Sequence, residues 1–387
     1  VPPGMPVLRV RDCGAALLAL GAHARARMRG RVIGVTGSAG KSTTVAMLAH
    51  ALEAWGPANR TRHNANLPAG IAWNLASMDR SAAFTVLEMA VGRMGTSARL
   101  ARPDVAVVTT VAAAHLEFHG SVDEVARRKS RIFSGMLPGS VAVLNRDIPQ
   151  WRIFAQQAAR YGLRTVFYGR HAEAALRLLG HDPESGTVHV RIPGGERRYR
   201  LGAPGEHMAF DSLACLGALL ALDLPLEPAL ERLAGFQPLP GRGETFDTEL
   251  DGKRLRVIDE ACNANPASMG AALRLLSGAA TPLADGRRVA VLGDMRELGR
   301  ESDALHAGLA ADVLAARPGL ALLCGSRMLH LAAALDGKLP LRWFPDVDAL
   351  QPRLPELLAS GDVVLVKGSA ATRLGEVVAL LRRGGAA

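Results

Sequence analysis

Cysteine is scarce in this 387-residue chain: Cys13, Cys215, Cys262 and Cys324 lie far apart and form no CxxC pair. That pattern argues against a disulfide framework and against a structural zinc site. Aromatic residues are also few, with four Trp, three Tyr and nine Phe, and no nucleic-acid motif accompanies them. A platform for stacking bases is therefore not expected, and nucleic acid is not among the expected partners. No apolar run reaches the roughly 18 residues of a membrane span, and no charged-then-apolar leader opens the chain. These absences read as a soluble protein of the cytoplasm.

What is present is a globular balance, 49% hydrophobic and 21% charged, over a length that suits two or three domains. Lys and Arg number 46 against 36 Asp and Glu, a formal charge of +10. Such an excess suits nucleic acid, a membrane surface or phosphorylated small molecules, and an Arg-rich coding bias gives the same number. Short β-rich apolar runs alternate with longer Ala/Leu-rich segments, which predicts an α/β fold with a mainly parallel sheet. Strands are expected at 31–35, 84–89, 105–111 and 141–144. Helical spacing after the first puts Val45, Leu48 and Leu52 on one face. The polar, alternating stretch 180–201 predicts a small antiparallel insertion with a turn at 193–195, and 212–222 reads as a helix. The cluster QPLPG at 237–241 predicts a hinge. Beyond it the rhythm restarts, with strands at 255–258, 288–292, 321–324 and 363–366. The domain boundary is therefore placed near residue 238.

The strongest motif is GVTGSAGKST at 34–43, between a strand and a helix. Its glycines let successive backbone N–H groups turn inward, and the helix N-terminus adds partial positive charge. Lys41 can reach outer phosphates, and Ser42 or Thr43 can offer a hydroxyl to Mg²⁺. The spacing is not the strict GxxxxGK[ST], but the Gly-Lys-Ser core and its setting point to a nucleoside triphosphate. Glu88 closes an apolar strand at the end where ligand chemistry gathers in open α/β sheets. A carboxylate there can hold a hard cation, or it can be an ordinary surface Glu. His115 follows the next strand and reads either as a structural histidine or as a ligand. Lys129, in RRKSRIF at 127–133, reads by itself as part of a solvated basic helix face.

Taken together these segments resemble the Mur ligase superfamily, the ATP-dependent amide ligases of peptidoglycan precursor assembly, and within it the MurF branch that adds D-alanyl-D-alanine. The phosphate loop is similar to the family's GxTGxxGKST. AAHLE at 113–117, Gly120 and KSRIF at 129–133 resemble another block. VIDEACNANPASM at 257–269, VLGDMRELG at 291–299 and VLVKGS at 364–369 resemble later ones. The resemblance implies a central P-loop-type ATPase domain at 31–237, a C-terminal Rossmann-like α/β domain at 238–387 and a short N-terminal segment at 1–30. It implies ATP held by Thr36, Gly37, Ser38, Gly40, Lys41, Ser42 and Thr43, with Asp211 on the adenine side and Asp259 on the ribose. Ser42, Glu88, His115 and Lys129 would hold Mg²⁺, Lys129 as a carbamate. Arg242 would contact phosphate, and Asn66, Asn263 and Asn265 would face substrate. The reaction implied is attack of a substrate carboxylate on the γ-phosphate, giving an acyl phosphate and ADP, then attack by an amine with loss of phosphate. Closure about 238–241 would complete the site.

The chain also departs from that pattern. Only about thirty residues precede the phosphate-loop strand, too few for the family's UDP-binding domain, so a missing N-terminal domain or a larger synthetase is expected. The adenine-side pattern GxHNxxN reads GEHMAFD at 205–211, the family's Tyr before Asn263 is Cys262, and 64–68 fits the Asn-rich loop loosely. These changes fall on recognition, so the carboxylate substrate need not be a UDP-muramoyl peptide. Two alternatives follow: a ligase module of a specialised peptide or polymer synthetase, similar to cyanophycin synthetase, or a non-catalytic nucleotide-binding module.

Overall fold

Long runs of buried Val, Leu and Ile, each too apolar to face water on either side, set up two sheets whose central strands are covered on both faces. The structure is a computed structural model that describes Gly4, residues 7–113 and residues 116–384. In the first half the strands are β1 (Arg31–Thr36), β2 (Ala58–Arg60), β3 (Phe84–Glu88), β4 (Val105–Val108), β5 (Val141–Asn145), β6 (Arg164–Gly169), β7 (Leu176–Asp182), β8 (Thr187–Ile192) and β9 (Gly195–Arg200). They form one sheet in the order β2-β3-β1-β4-β5-β6-β7-β8-β9. Pairing is parallel from β2 to β7 and antiparallel across β7, β8 and β9. The second half carries β10 (Glu244–Leu250), β11 (Lys253–Glu260), β12 (Arg288–Gly293), β13 (Leu320–Cys324), β14 (Leu341–Phe344) and β15 (Val363–Lys367), in the order β10-β11-β15-β12-β13-β14. Only the β10–β11 pair is antiparallel. This is the mainly parallel α/β fold that the sequence predicts.

Three details differ from the sequence reading. The antiparallel segment at 180–201 is not a separate insertion, because β7 pairs parallel with β6 and so carries the meander onto the main sheet. The strand expected to reach 111 stops at Val108. There Thr109 N–H donates to the Thr36 carbonyl, and the Thr110 carbonyl accepts from Ser38 N–H, so the chain bends toward the phosphate loop. The helix expected from 212 begins at Glu206. Its first turns are polar in sequence, yet Met208, Asp211 and Ser212 are buried by packing that periodicity does not show.

Helices close both faces. The helices Lys41–Leu52 and Glu206–Ala221 pack with the strands in one cluster, in which Met47, Leu48, Leu213 and Leu216 are wholly buried. On the other face, Ile71, Leu75, Phe133 and Phe154 form a second cluster. No described helix is long and apolar enough to cross a membrane.

The helix Glu206–Ala221 carries His207 and Asp211 toward the cleft, and its distance from the sheet is set by Gly217. A β-carbon there would lie 2.6 Å from Cγ1 of Val143, a stiff, fully buried β-branched side chain on β5. Gly217→Val is therefore expected to destabilise the chain by about 1–3 kcal/mol, read as a lower urea midpoint. No change in the midpoint would show that the helix is free to move away from the sheet.

Candidate active site

The topology brings the C-terminal ends of β1, β3, β4 and β5 to one side of the sheet, and the chain switches sides across β1 as it passes from β3 to β4. A crevice at such a switch point is where open α/β sheets bind ligands. A cleft of about 660 Å³ lies there, walled by the phosphate loop, by Glu88 at the end of β3, by Asn145 and Tyr168 on β5 and β6, by the helix at 206–221, and by Arg242, Glu260 and Lys367 from the second half.

The loop itself is folded by its glycines and by β4. Gly40 adopts φ 79°, a left-handed conformation at the start of the helix Lys41–Leu52, and a β-carbon there would lie 2.4 Å from Asp211 Oδ1. The Thr36 hydroxyl is committed to the Met89 carbonyl at 2.8 Å, and the Ser38 hydroxyl exchanges hydrogen bonds with Ala112 at 3.2–3.3 Å. Thr109 Oγ1 donates to the Ala39 carbonyl at 2.6 Å. Thr43 is buried on the cleft side of the helix.

Two lysines meet on one acceptor. Lys41 Nζ donates to the Gly37 carbonyl at 3.0 Å, and Lys129 Nζ donates to the same oxygen at 2.8 Å. Lys129 is 1% exposed, so it is not on the solvated face that its neighbours suggest. Burial pushes its ammonium well below the usual lysine range and nearby Lys41 pushes it further, with Glu88 opposing. Lys41 is lowered as well, first by burial, with Glu88 raising it and Arg242 lowering it.

Glu88 is almost wholly buried. Its carboxylate accepts from the Ser42 hydroxyl and, at 2.8 Å, from Asn66 Nδ2, while its own N–H donates to Thr61 Oγ1 at 2.8 Å. Among the described residues no three His, Cys, Asp or Glu side chains are grouped as a metal cage. One carboxylate touching one hydroxyl is, however, the arrangement that suits Mg²⁺, which takes few protein oxygens and completes its shell with water and phosphate. His115, the other expected ligand, lies outside the described residues.

The remaining expected residues divide. Arg242 lines the cleft, and its guanidinium has no carboxylate partner among the described residues. Asp211 abuts the phosphate loop. Burial pushes its carboxyl up to about 7, against the opposing pull of His207. Asn263 lines the cleft. Asn265 caps the helix Pro266–Gly278 in a capping box with Ser268, and its Nδ2 reaches the Ser38 carbonyl at 3.4 Å, so it touches the phosphate loop itself. Asp259 does not face the cleft. Its oxygens accept from Gly241 N–H at 2.9 Å and Ala261 N–H at 3.1 Å, which ties down the Pro/Gly segment. The ribose role expected of it has no support in that arrangement.

The carboxylate on the cleft wall is the next residue, Glu260, which sequence reasoning missed together with Lys367 and His207. Lys367, 2% exposed, donates to Glu260 Oε2 at 3.2 Å and to the Asn263 carbonyl at 3.1 Å. His207 Nε2 lies 3.6 Å from Glu260 Oε1 and so links the first half of the chain to the second. Burial alone would push Glu260 up, but Lys367 and then His207 override it and hold the carboxyl at about 2. A signal was present in the sequence: Lys367 ends an apolar strand just as Glu88 does.

Comparison with known proteins gives a consistent result. The Mur ligase middle domain matches residues 35–219, and the Mur ligase glutamate ligase domain matches residues 241–370. The UDP-N-acetylmuramoyl-tripeptide–D-alanyl-D-alanine ligase of Escherichia coli is 33% identical over 98% of this chain and 83% of its own length. The enzyme of the same name from Bacillus subtilis is 28% identical over 97% and 81%. Among solved structures, MurF from Acinetobacter baumannii superposes with a TM-score of 0.85 at 27% identity, covering 98% of this chain and 84% of that one. MurF from Thermotoga maritima in complex with ADP gives 0.84 at 25% identity, covering 99% and 87%.

The Glu260–Lys367 pair generates a pH-dependent expectation. A carboxyl held at about 2, against about 4.3 when unfolded, contributes stability above the unfolded value and loses it as pH falls through the folded one. Lys367→Met leaves Glu260 buried without its main partner and is expected to lower stability by about 3–5 kcal/mol at pH 7. That loss should shrink as Glu260 becomes protonated, and Glu260→Gln added to Lys367→Met should restore part of it at pH 7. Urea denaturation across pH 3–7 checks this, and a loss independent of pH would show that the pair is not its source.

Proposed function

This chain belongs to the Mur ligase family, on its MurF side, and from that premise we propose how it performs ATP-dependent peptide ligation. ATP and Mg²⁺ are the cofactors of that family. The observation that carries the reading is the meeting of Lys41 and Lys129 on the Gly37 carbonyl at the end of β1, next to a helix start whose Ser42 is bonded to Glu88. A triphosphate is the ligand that relieves two buried ammoniums sharing one acceptor.

In this reading residues 31–237 form the ATP-binding domain and residues 238–387 close on it. Lys41 leaves the Gly37 carbonyl for the outer phosphates, and Arg242, which lacks a carboxylate partner among the described residues, meets them from the second domain. Ser42 and Glu88 would hold Mg²⁺, which would supply charge neutralisation on the phosphate oxygens. The donor carboxylate attacks the γ-phosphorus, releasing ADP and forming an acyl phosphate. The amine then attacks the acyl carbon, loses a proton, and phosphate departs. Excluding water from the closed cleft protects the acyl phosphate between the two steps.

Lys129 takes a second role. A lysine reacts with CO₂ only as the neutral amine, and burial beside Lys41 favours that form. The amine adds to CO₂, a proton is lost, and the resulting carbamate would set an anion beside the Lys41 ammonium.

For substrates, the relatives are named for UDP-N-acetylmuramoyl-tripeptide and D-alanyl-D-alanine. D-alanyl-D-alanine is accordingly the first amine to supply and a peptide carboxylate the donor. Release of ADP and phosphate is expected only when both are present, and AMP with pyrophosphate would overturn the scheme. Lys41→Ala is expected to weaken ATP binding. Lys129→Ala is expected to lower kcat by about a hundredfold or more and to abolish a carbamate ¹³C resonance seen after equilibration with labelled bicarbonate. Unchanged kcat in that variant would remove Lys129 from the reaction. ATP binding without turnover over a broad panel of donors and amines would favour the nucleotide-binding module instead.

A further inference from the structure

Positive charge also gathers without an answering acid outside the main cleft. A cavity of about 420 Å³ opens between the helix Met94–Ala101 and the short 3₁₀ turn Arg131–Gly135, above the apolar cluster that contains Met94 and Phe133. None of its lining residues lines the main cleft.

Arg93, Arg99, Arg128 and Arg131 all reach this cavity, and among the described residues no Asp or Glu does. Arg128 is bonded to Glu124 at 2.9 Å, and Arg127 lies 3.7 Å from the same carboxylate. Arg93, Arg99 and Arg131 have no carboxylate within ion-pair distance among the described residues. The hydroxyls of Thr96 and Tyr161, also on the wall, have no hydrogen-bond partner among those residues.

The walls are fixed against each other. A β-carbon on Gly135 would strike the Ala98 carbonyl oxygen, so turn and helix meet backbone to backbone. A β-carbon on Gly95 would lie 3.3 Å from Arg99 Nη1 and 3.6 Å from Ser134 Oγ. The Arg99 guanidinium therefore folds back over the first turn of its own helix, toward the opposite wall. That first turn carries no acid and no side-chain cap, so its positive end is open. Arg93, its cap residue, is held at φ 54°, a conformation that costs a non-glycine residue energy.

We propose that this cavity is an effector site for a small phosphate, free or as a monoester, separate from the catalytic cleft. The unpaired guanidiniums come from three backbone elements: the loop before the helix, the helix, and the turn opposite. That arrangement suits a tetrahedral dianion better than a planar carboxylate, and each guanidinium can offer paired N–H donors to phosphate oxygens. The volume falls within the range of small-ligand pockets and leaves room for an organic group beside the phosphate. Both walls lead straight into the catalytic residues. Val91 follows Glu88 by three residues, and Arg128 immediately precedes Lys129, whose amine sits on the Gly37 carbonyl. An anion that binds both walls acts on the supports of Glu88 and Lys129, and nucleotide affinity reports it.

Calorimetry on the whole chain tests this with glycerol 3-phosphate, inorganic phosphate and glycerol, the main cleft being filled with Mg²⁺ and β,γ-imido-ATP. At least one phosphate probe is expected to bind with a Kd below about 1 mM, and glycerol not to bind. The tighter of the two phosphates tells whether the site takes the free anion or an ester. The double variant Arg99→Gln, Arg131→Gln is expected to weaken that probe about tenfold or more, while its affinity for β,γ-imido-ATP alone holds. In the unaltered chain the probe should also shift β,γ-imido-ATP affinity about fivefold or more, and in the double variant it should not. Binding of neither phosphate, glycerol binding as tightly as they do, or unchanged binding in the double variant overturns the site. A shift of equal size in both chains places the probe in the main cleft and overturns it too. Binding without any shift in nucleotide affinity overturns the effector role.

Discussion

One carbonyl oxygen, that of Gly37, accepts from two buried lysine amino groups, and the rest of the site is arranged around that shared acceptor. Like charges brought together away from water repel strongly, which is part of what pushes the Lys129 ammonium down. Glu88 supplies one negative charge, already engaged by Ser42 and Asn66. Arg242 adds another positive group. The cleft is thus suited to an anion, and it is held so by packing rather than by surface charge. The formal +10 of the chain contributes little to this, because the decisive cations are the few that are buried.

The second half of the chain meets the first through polar contacts of specific geometry. Asn265 reaches the phosphate-loop carbonyl of Ser38, His207 faces Glu260, and Asp259 clamps the backbone of the connecting segment. Each contact joins groups that would otherwise be desolvated without a partner, so the halves gain little by adopting a slightly wrong angle. The helix Pro266–Gly278 is capped by Asn265, and its first turn lines the same cleft as the start of the helix Lys41–Leu52. Two helix starts of the same polarity then face one small volume.

Much of this was legible in the sequence because it rests on local pattern. The phosphate loop announces itself by its glycines, Lys41 and the flanking strand and helix. Glu88 announces itself by ending an apolar run. Residues whose meaning depends on remote partners were not legible. Lys129 sits in a basic stretch and is buried only because the helix Val122–Ser130 turns it inward against β1's loop. Asp259 and Glu260 are adjacent acids on one strand, and strand alternation sends one to the hinge and the other to the cleft. The polar start of the helix at Glu206 concealed its true length, since Asp211 and Ser212 are buried by contacts with the phosphate loop and with Tyr199. The antiparallel character of 180–201 was readable, but its attachment to β6 was not, because register between distant strands leaves no local trace.

That attachment affects how the protein behaves among its own copies. Extending the main sheet through β7 and β8 puts β9 at its end, with a strand neighbour on one side only among the described residues. An open row of backbone donors and acceptors invites another strand to add itself. β9 reads GERRYR, so Arg197, Arg198 and Arg200 crowd the rim. A second copy approaching edge to edge would bring the same three charges against them. Charges of one sign along an edge strand oppose such edge-to-edge pairing, a use of the basic excess separate from nucleotide and substrate.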